Sequence, residues 1–291
     1  MSLLELFCEV DDFIQVFDAV YGQQQLCSGR KRGRKASLSK SEIITILIVF
    51  HQKSYRHFKA YYNDYVLTTL KSEFPKLVSY NRFVELSSTV MLEMCAYLKS
   101  RYGRCTGISF VDSTSIAVCH NKRINRHKVF KDDAHRSKTT MGWFYGFKIH
   151  LIVNDAGELL ETQLTPGNTD DRVALEDMVE SIYGKVFGDK GYISQPLFER
   201  LRQKNIELIT TIKKNMKNQL MHLEDKLLLR KRYIVETIID QLKNISQIEH
   251  TRHRSPANFV TNLLAGLIAY THQPKKPSLN LFGDSDVPVL L

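Results

Sequence analysis

The chain has 291 residues, 43% of them apolar and 25% charged, with a formal net charge of +10. This is the balance of a soluble globular protein of roughly two domains with a real core, and the cationic excess points to an anionic partner, nucleic acid first. The five cysteines are scattered with no C-x-x-C pair, so neither a zinc ribbon nor a disulfide framework is expected and a cytoplasmic location fits. The opening "MSLLELFCEVDDF" lacks the basic start of a signal peptide, and the longest apolar run, "IITILIVF", is too short to span a bilayer, so no membrane association is expected.

Residues 1–103 read as helical. "LLELFCEVDDFIQVFDAVY" places apolar residues at helical spacing, and "SLSKSEIITILIVFHQ" opens with Ser39 or Ser41 as N-cap before a buried helix. "SYNRFVELSSTVMLEMCAYLKS" adds one or two more. Between the first two lies "GRKRGRK", in which Arg30, Lys31, Arg32, Arg34 and Lys35 form either a solvated charge run or an arm that follows a phosphate backbone.

From Gly107 the period changes to two. "ISFVDSTSIAVC", "WFYGFKIHLIVND" and "ELLETQLTPGN" read as three strands, punctuated by turn signals at Asn154–Gly157 and Pro166–Gly167. "DDRVALEDMVESIYG" is a helix, with Asp170 and Asp171 expected to cap it. "KVFGDKGY" is a fourth strand, "QPLFERLRQKN" a helix and "IELITTIKKN" a fifth strand. Helical pattern resumes at Leu223, and Ser255-Pro256 opens a last helix, "ANFVTNLLAGLIAY". The expected fold is therefore α/β: a helical region over 1–103, a mixed five-stranded sheet flanked by helices over 104–273, and an irregular tail over 274–291.

Two basic or polar clusters admit competing readings. "HNKRINRHKVFKDDAHRSK" holds Lys122, Arg123, Arg126, Lys128, Lys131, Arg136 and Lys138 against Asp132 and Asp133, which favours a DNA contact over a solvated loop. Cys119, His120, His127 and His135 match no common zinc spacing. Trp143 and Phe144 are expected to pack in the core or on a strand face.

The acids carry the chemistry. Asp112 interrupts the first strand after Phe110 and Val111, and a carboxylate buried there needs a cation or solvent. The first and fourth strands can lie side by side in parallel, which would bring Asp112 and Asp189 within reach of one hard ion, Mg2+ or Mn2+. In "RYIVETIIDQLK", Arg232, Glu236 and Lys243 fall on one helical face, with Ile234, Ile238, Ile245 and Ile248 opposite. Glu249, a rival third acid, would stand about 140° around unless the helix breaks, and Arg252 or Arg254 could pair with it.

"FVDST", "GDKGY" and R-x-x-x-E-x-x-x-x-x-x-K together resemble the DDE transposases of bacterial insertion sequences, and the likeness extends through "GWFYGFKIHLIVN", "TPGNTDD" and "RSPANFVTNLLAGLIAY". The resemblance implies an RNase H-like catalytic domain in which Asp112, Asp189 and Glu236 are the catalytic, metal-binding acids, with Mg2+ as cofactor and Mn2+ as substitute. Arg232 and Lys243 take the places of the family's basic residues beside the glutamate; Leu229 stands where related elements carry Tyr. Lys190 and Tyr192 either meet the DNA backbone or are a solvated charge and an edge-packed ring, and the glycines around Asp189 would let backbone and phosphate come close. The implied partners are double-stranded DNA, as terminal inverted repeats and as target, and further copies of the chain, a homodimer or larger assembly. A nuclease that cuts without strand transfer, or an inactive DNA-binding protein, remains open.

Overall fold

A computed structural model describes residues 1–25, 36–53, 55–140, 142–211, 221–249 and 253–279. The basic stretch holding Arg30, Lys31, Arg32, Arg34 and Lys35, and Arg252, lie outside the described residues. In chain order the elements are α1 (Leu3–Gln25), α2 (Lys40–Gln52), α3 (Phe58–Tyr61), α4 (Tyr80–Ser87), α5 (Met91–Ser100), β1 (Ile108–Cys119), β2 (His135–Thr139), β3 (Gly142–Asn154) and β4 (Leu159–Pro166), then α6 (Asp171–Met178), β5 (Gly184–Gly188), α7 (Gln195–Gln203), β6 (Ile206–Thr210), α8 (Leu223–Arg230), α9 (Tyr233–Asn244) and α10 (Pro256–Thr271). No described helix is long and apolar enough to cross a membrane.

The chain divides into two compact units: Met1–Arg101 with Leu242–Pro274, and Tyr102–Gln241 with the segment from Lys275. The first unit is helical. Ser39, not Ser41, caps α2, in a capping box with Glu42; Ser41 instead donates to Asp11 at 2.6 Å. Every residue of α2 from Ile43 to His51 is buried, as expected of a helix apolar on all sides. α10 is equally apolar and packs against α2 and α5. Its packing therefore groups it with the N-terminal helices, whereas the sequence reading placed residues up to 273 with the sheet.

The second unit is built on a mixed sheet of six strands in the order β2-β3-β1-β5-β6, with β4 also on β3. The long β3 pairs antiparallel with β1 along one edge; on the other edge β2 pairs with Gly142–Gly146 and β4 with Phe147–Val153. β1 and β5 run parallel, as the strand order suggested, with Phe110 opposite Phe187. The sixth strand is β2, "HRSKT", which the sequence reading left within the basic loop. Its exposed, charged side chains give no apolar alternation; its pairing comes from backbone bonds at a sheet edge.

On one face of the sheet, Val111, Ile152, Leu160 and Val186 meet Leu175 and Met178 of α6 and Leu197 and Leu201 of α7. Asp170 caps α6 as expected, accepting from the Arg172 amide at 3.0 Å. α6 ends at Met178, so the residues after it continue as turns rather than helix. Strand alternation turns Phe110, Asp112, Phe187 and Asp189 to the other face. There Phe110 and Phe187 stack at 5.5 Å, and Lys185 holds the buried Asp225 of α8 at 2.6 Å.

Candidate active site

Asp112 and Asp189 each stand two residues past the Phe110–Phe187 pair, on adjacent parallel strands and on one face. The register that packs the two rings thus also sets the two carboxylates side by side. Asp112 is largely enclosed, and burial pushes its carboxyl up to about 6; the Ser113 amide and the Arg232 guanidinium pull it down, and the neighbouring charge of Asp189 pushes it up. The Ser113 amide donates to Asp112 Oδ1 at 2.8 Å.

Asp189 caps the short turn Lys190–Tyr192, its Oδ1 accepting from the Gly191 amide at 2.6 Å. The two glycines have separate reasons. A Cβ at Gly188 would stand 3.0 Å from the Tyr192 ring and 3.2 Å from Val111. One at Gly191 would stand 2.7 Å from the Asp189 carboxylate itself. Tyr192 is therefore a core residue, buried among Val111, Leu197 and Leu201, which decides for packing over DNA contact. Lys190 beside it is exposed.

Arg232 lies in the break between α8 and α9 and joins two of the acids. Its Nη1 donates to Asp112 Oδ2 at 3.0 Å and its Nη2 to Glu236 Oε1 at 2.6 Å. The i to i+4 relation of Arg232 and Glu236 is as the helical spacing predicts. Ile234 and Ile238 are buried on the other side, but α9 stops at Asn244 and Ile245 is 55% exposed. Gln247 takes a left-handed φ of 48° and the Ile248 amide returns to the Leu242 carbonyl. That reversal brings Glu249 to Lys243, 3.3 Å apart. The helix break that the angular argument against Glu249 left as its exception is present, and among the described residues Glu249 pairs with Lys243.

Among the described residues, no group of three or more His, Cys, Asp or Glu side chains is gathered to hold a metal ion; the Arg232 guanidinium stands between Asp112 and Glu236. The oxygen-only donor set and an aspartate whose carboxyl is raised chiefly by burial fit a hard divalent cation, with Arg232 supplying positive charge in this arrangement.

A polar group that the sequence reading did not single out lies on the α6 face. His150 pairs across the sheet with Ser113, the residue after Asp112. Its Nε2 is 2.8 Å from Thr165 Oγ1, and Lys148 holds Asp171 at 3.0 Å beside it. Burial lowers the His150 imidazole to about 4. The sequence signal was its position: a histidine inside an otherwise apolar strand, "KIHLIV".

Of the residues read as DNA contacts, Lys122, Arg123, Arg126 and Lys128 are exposed on and beside the turn Asn121–Arg126. Of the two residues expected in the core or on a strand face, Phe144 is buried, and Trp143 is on a strand face, 51% exposed.

Asp112 within β1 and Asp189 just past the end of the adjacent parallel β5, with a helix glutamate tied to Asp112 through an arginine, define an α/β domain with an acidic site on its sheet. The family model of the transposase DDE domain matches residues 102–256. The chain belongs to that family. Among solved structures it aligns with the piggyBac transposase synaptic complex with hairpin DNA, at TM-score 0.49 and 10% identity over 92% of this chain and 70% of that one. It also aligns with the Mos1 strand transfer complex, at TM-score 0.24 and 10% identity over 84% and 82%. No curated protein matches the sequence.

Proposed function

We propose that the protein is a transposase that cuts DNA at the terminal inverted repeats of its element and joins the freed ends to target DNA, using Asp112, Asp189 and Glu236. The observation that carries this reading is the placement of Asp112 and Asp189 two residues past the paired Phe110 and Phe187 of the parallel strands β1 and β5, with Glu236 linked to Asp112 through Arg232. We read the sheet as RNase H-like, the N-terminal helices with the Arg30–Lys35 arm as the inverted-repeat-binding region, and the assembly on DNA as a dimer or larger, since two ends must be handled together.

The three acids would hold Mg2+, or Mn2+ in its place, which when bound supplies Lewis acidity to the attacking and leaving oxygens of a phosphodiester. The chain's own groups set the site around it. The Gly191 amide fixes the rotation of the Asp189 carboxylate, and the Ser113 amide does the same for Asp112. Arg232 presents a planar fork suited to a phosphate. When phosphate takes that fork, Asp112 and Glu236 are released to act as ligands. Exposed Lys190, Lys122, Arg123, Arg126 and Lys128 and half-buried Lys243 would neutralise the backbone of the duplex.

The test incubates the protein with DNA carrying flanking inverted repeats, a target plasmid and Mg2+, and maps the products. Cuts at the repeat ends and joined target products are expected, lost in excess chelator, with Ca2+ supporting binding but little turnover. Cuts without joined products would reassign the chain as a nuclease. Binding without cuts would make it an inactive DNA-binding protein.

A further inference from the structure

The chain has a single tryptophan, and it is not packed away. Trp143 stands at the start of β3, 51% exposed, although burial of an indole would be strongly favourable. The hairpin of β2 and β3 arranges cations around it. Lys138 is its direct cross-strand partner, and Arg136, two residues along β2, lies on the same face. Arg136 Cζ is 4.6 Å and Lys138 Nζ 6.0 Å from the ring centroid. The mount is fixed as well: the Asn121 amide donates to the Trp143 carbonyl at 2.6 Å. That bond ties the exposed basic turn Asn121–Arg126 to the same end of the strand.

An exposed aromatic ring flanked by guanidinium and ammonium groups is the chemistry that binds single-stranded nucleic acid: the ring stacks on a base, and the cations take the phosphates on either side. An intact duplex hides its base faces, so an exposed ring gains nothing from it. Lysine and arginine alone would serve backbone neutralisation, and the turn carrying Lys122, Arg123 and Arg126 already provides that. We propose that Trp143, with Arg136 and Lys138, is a stacking platform for an unpaired DNA base. This rests on the reading of the protein as one that acts on DNA and names which form of DNA this surface takes. Leu151, the partner of Asp112, lies further along β3, at most roughly 26 Å from Trp143. The platform thus stands eight residues along β3 from the partner of Asp112, apart from the acids themselves.

The single tryptophan makes the test direct, because intrinsic tryptophan emission reports this site alone. The full chain is titrated at low salt, without divalent metal, with dye-labelled oligothymidylate, an abasic strand of equal length and a blunt duplex. Emission is read in parallel with dye anisotropy. Oligothymidylate should quench Trp143, whereas the abasic strand and the duplex should bind without quenching. Trp143→Ala should weaken oligothymidylate binding about tenfold, as expected for one lost base stack. It should leave abasic-strand and duplex affinity unchanged, and Trp143→Phe should retain most of the binding. Oligothymidylate binding without quenching, equal affinity in Trp143→Ala, or equal quenching by blunt duplex would each overturn the platform while leaving the DNA reading intact. Failure of the wild-type protein to bind any of the three DNAs would overturn both.

Discussion

Arg232 holds Asp112 at 3.0 Å, yet the Asp112 carboxyl is still raised to about 6, so the arginine does not repay the burial of the charge. A carboxyl whose folded pKa lies above its unfolded value, near 3.8, costs stability when ionised. That stability is present below pH 4 and is lost as pH rises through about 6. Asp112→Asn should therefore be more stable than wild type at pH 7.5 in chelator, by roughly 3 kcal/mol at most. The advantage should vanish near pH 4. Thermal unfolding of both proteins across that range checks it, and a variant less stable than wild type at pH 7.5 would refute the account.

The ion pair of Lys243 with Glu249 separates the two candidate glutamates by what each touches. Glu236→Gln should lose cleavage and strand transfer while keeping inverted-repeat binding. Glu249→Gln should keep measurable activity, since it removes only a partner of Lys243. A side-by-side cleavage assay, with both variants equally folded by circular dichroism, decides between them; the reverse pattern would make Glu249 the third acid.

Gly191 gives a third prediction. A Cβ there would meet Asp189 Oδ1 at 2.7 Å, so Gly191→Ala must turn the carboxylate off the amide that orients it. Cleavage should fall on the order of 100-fold, with little change in duplex affinity or unfolding temperature. Gly188→Ala presses on the Tyr192 ring instead and should lower stability by about 1–3 kcal/mol. Equal cleavage by Gly191→Ala and wild type would show that the amide contact is dispensable.

His150 and His51 act in the opposite sense to Asp112. Burial lowers both imidazoles to about 4, below the ordinary 6.5. Each contributes stability that is complete above pH 6.5 and is lost as pH falls towards 4. His150→Gln should flatten the acid limb of the stability profile between those values, read by denaturant unfolding at stepped pH. An unchanged limb would show that His150 titrates normally.

The acids were legible because strand alternation and parallel pairing are set by apolar residues the sequence displays. Once Phe110 and Phe187 are opposite one another, Asp112 and Asp189 follow. β2 was not legible, since an edge strand of charged residues carries no period, and the exposure of Trp143 followed from missing that hairpin. The end of α9 was hidden for another reason. Helix stops are read from glycine, and here Gln247 takes the left-handed conformation. The bond from Arg232 to Asp112 joins residues distant in sequence, which no local pattern encodes.

The helical unit is written in two pieces, with the sheet unit between them. A ribosome that has just released Gln241 has delivered α1 to α5 and every strand of the sheet, but not α10. The strands of the sheet are thus all present while α2 still lacks one of the two helices that pack most closely on it. Closure of the helical unit must wait for a contact between segments roughly 200 residues apart, the kind that forms late. A chain stopped before Pro256 would leave the α10-facing side of α2 uncovered and prone to aggregate, even with the sheet fully formed.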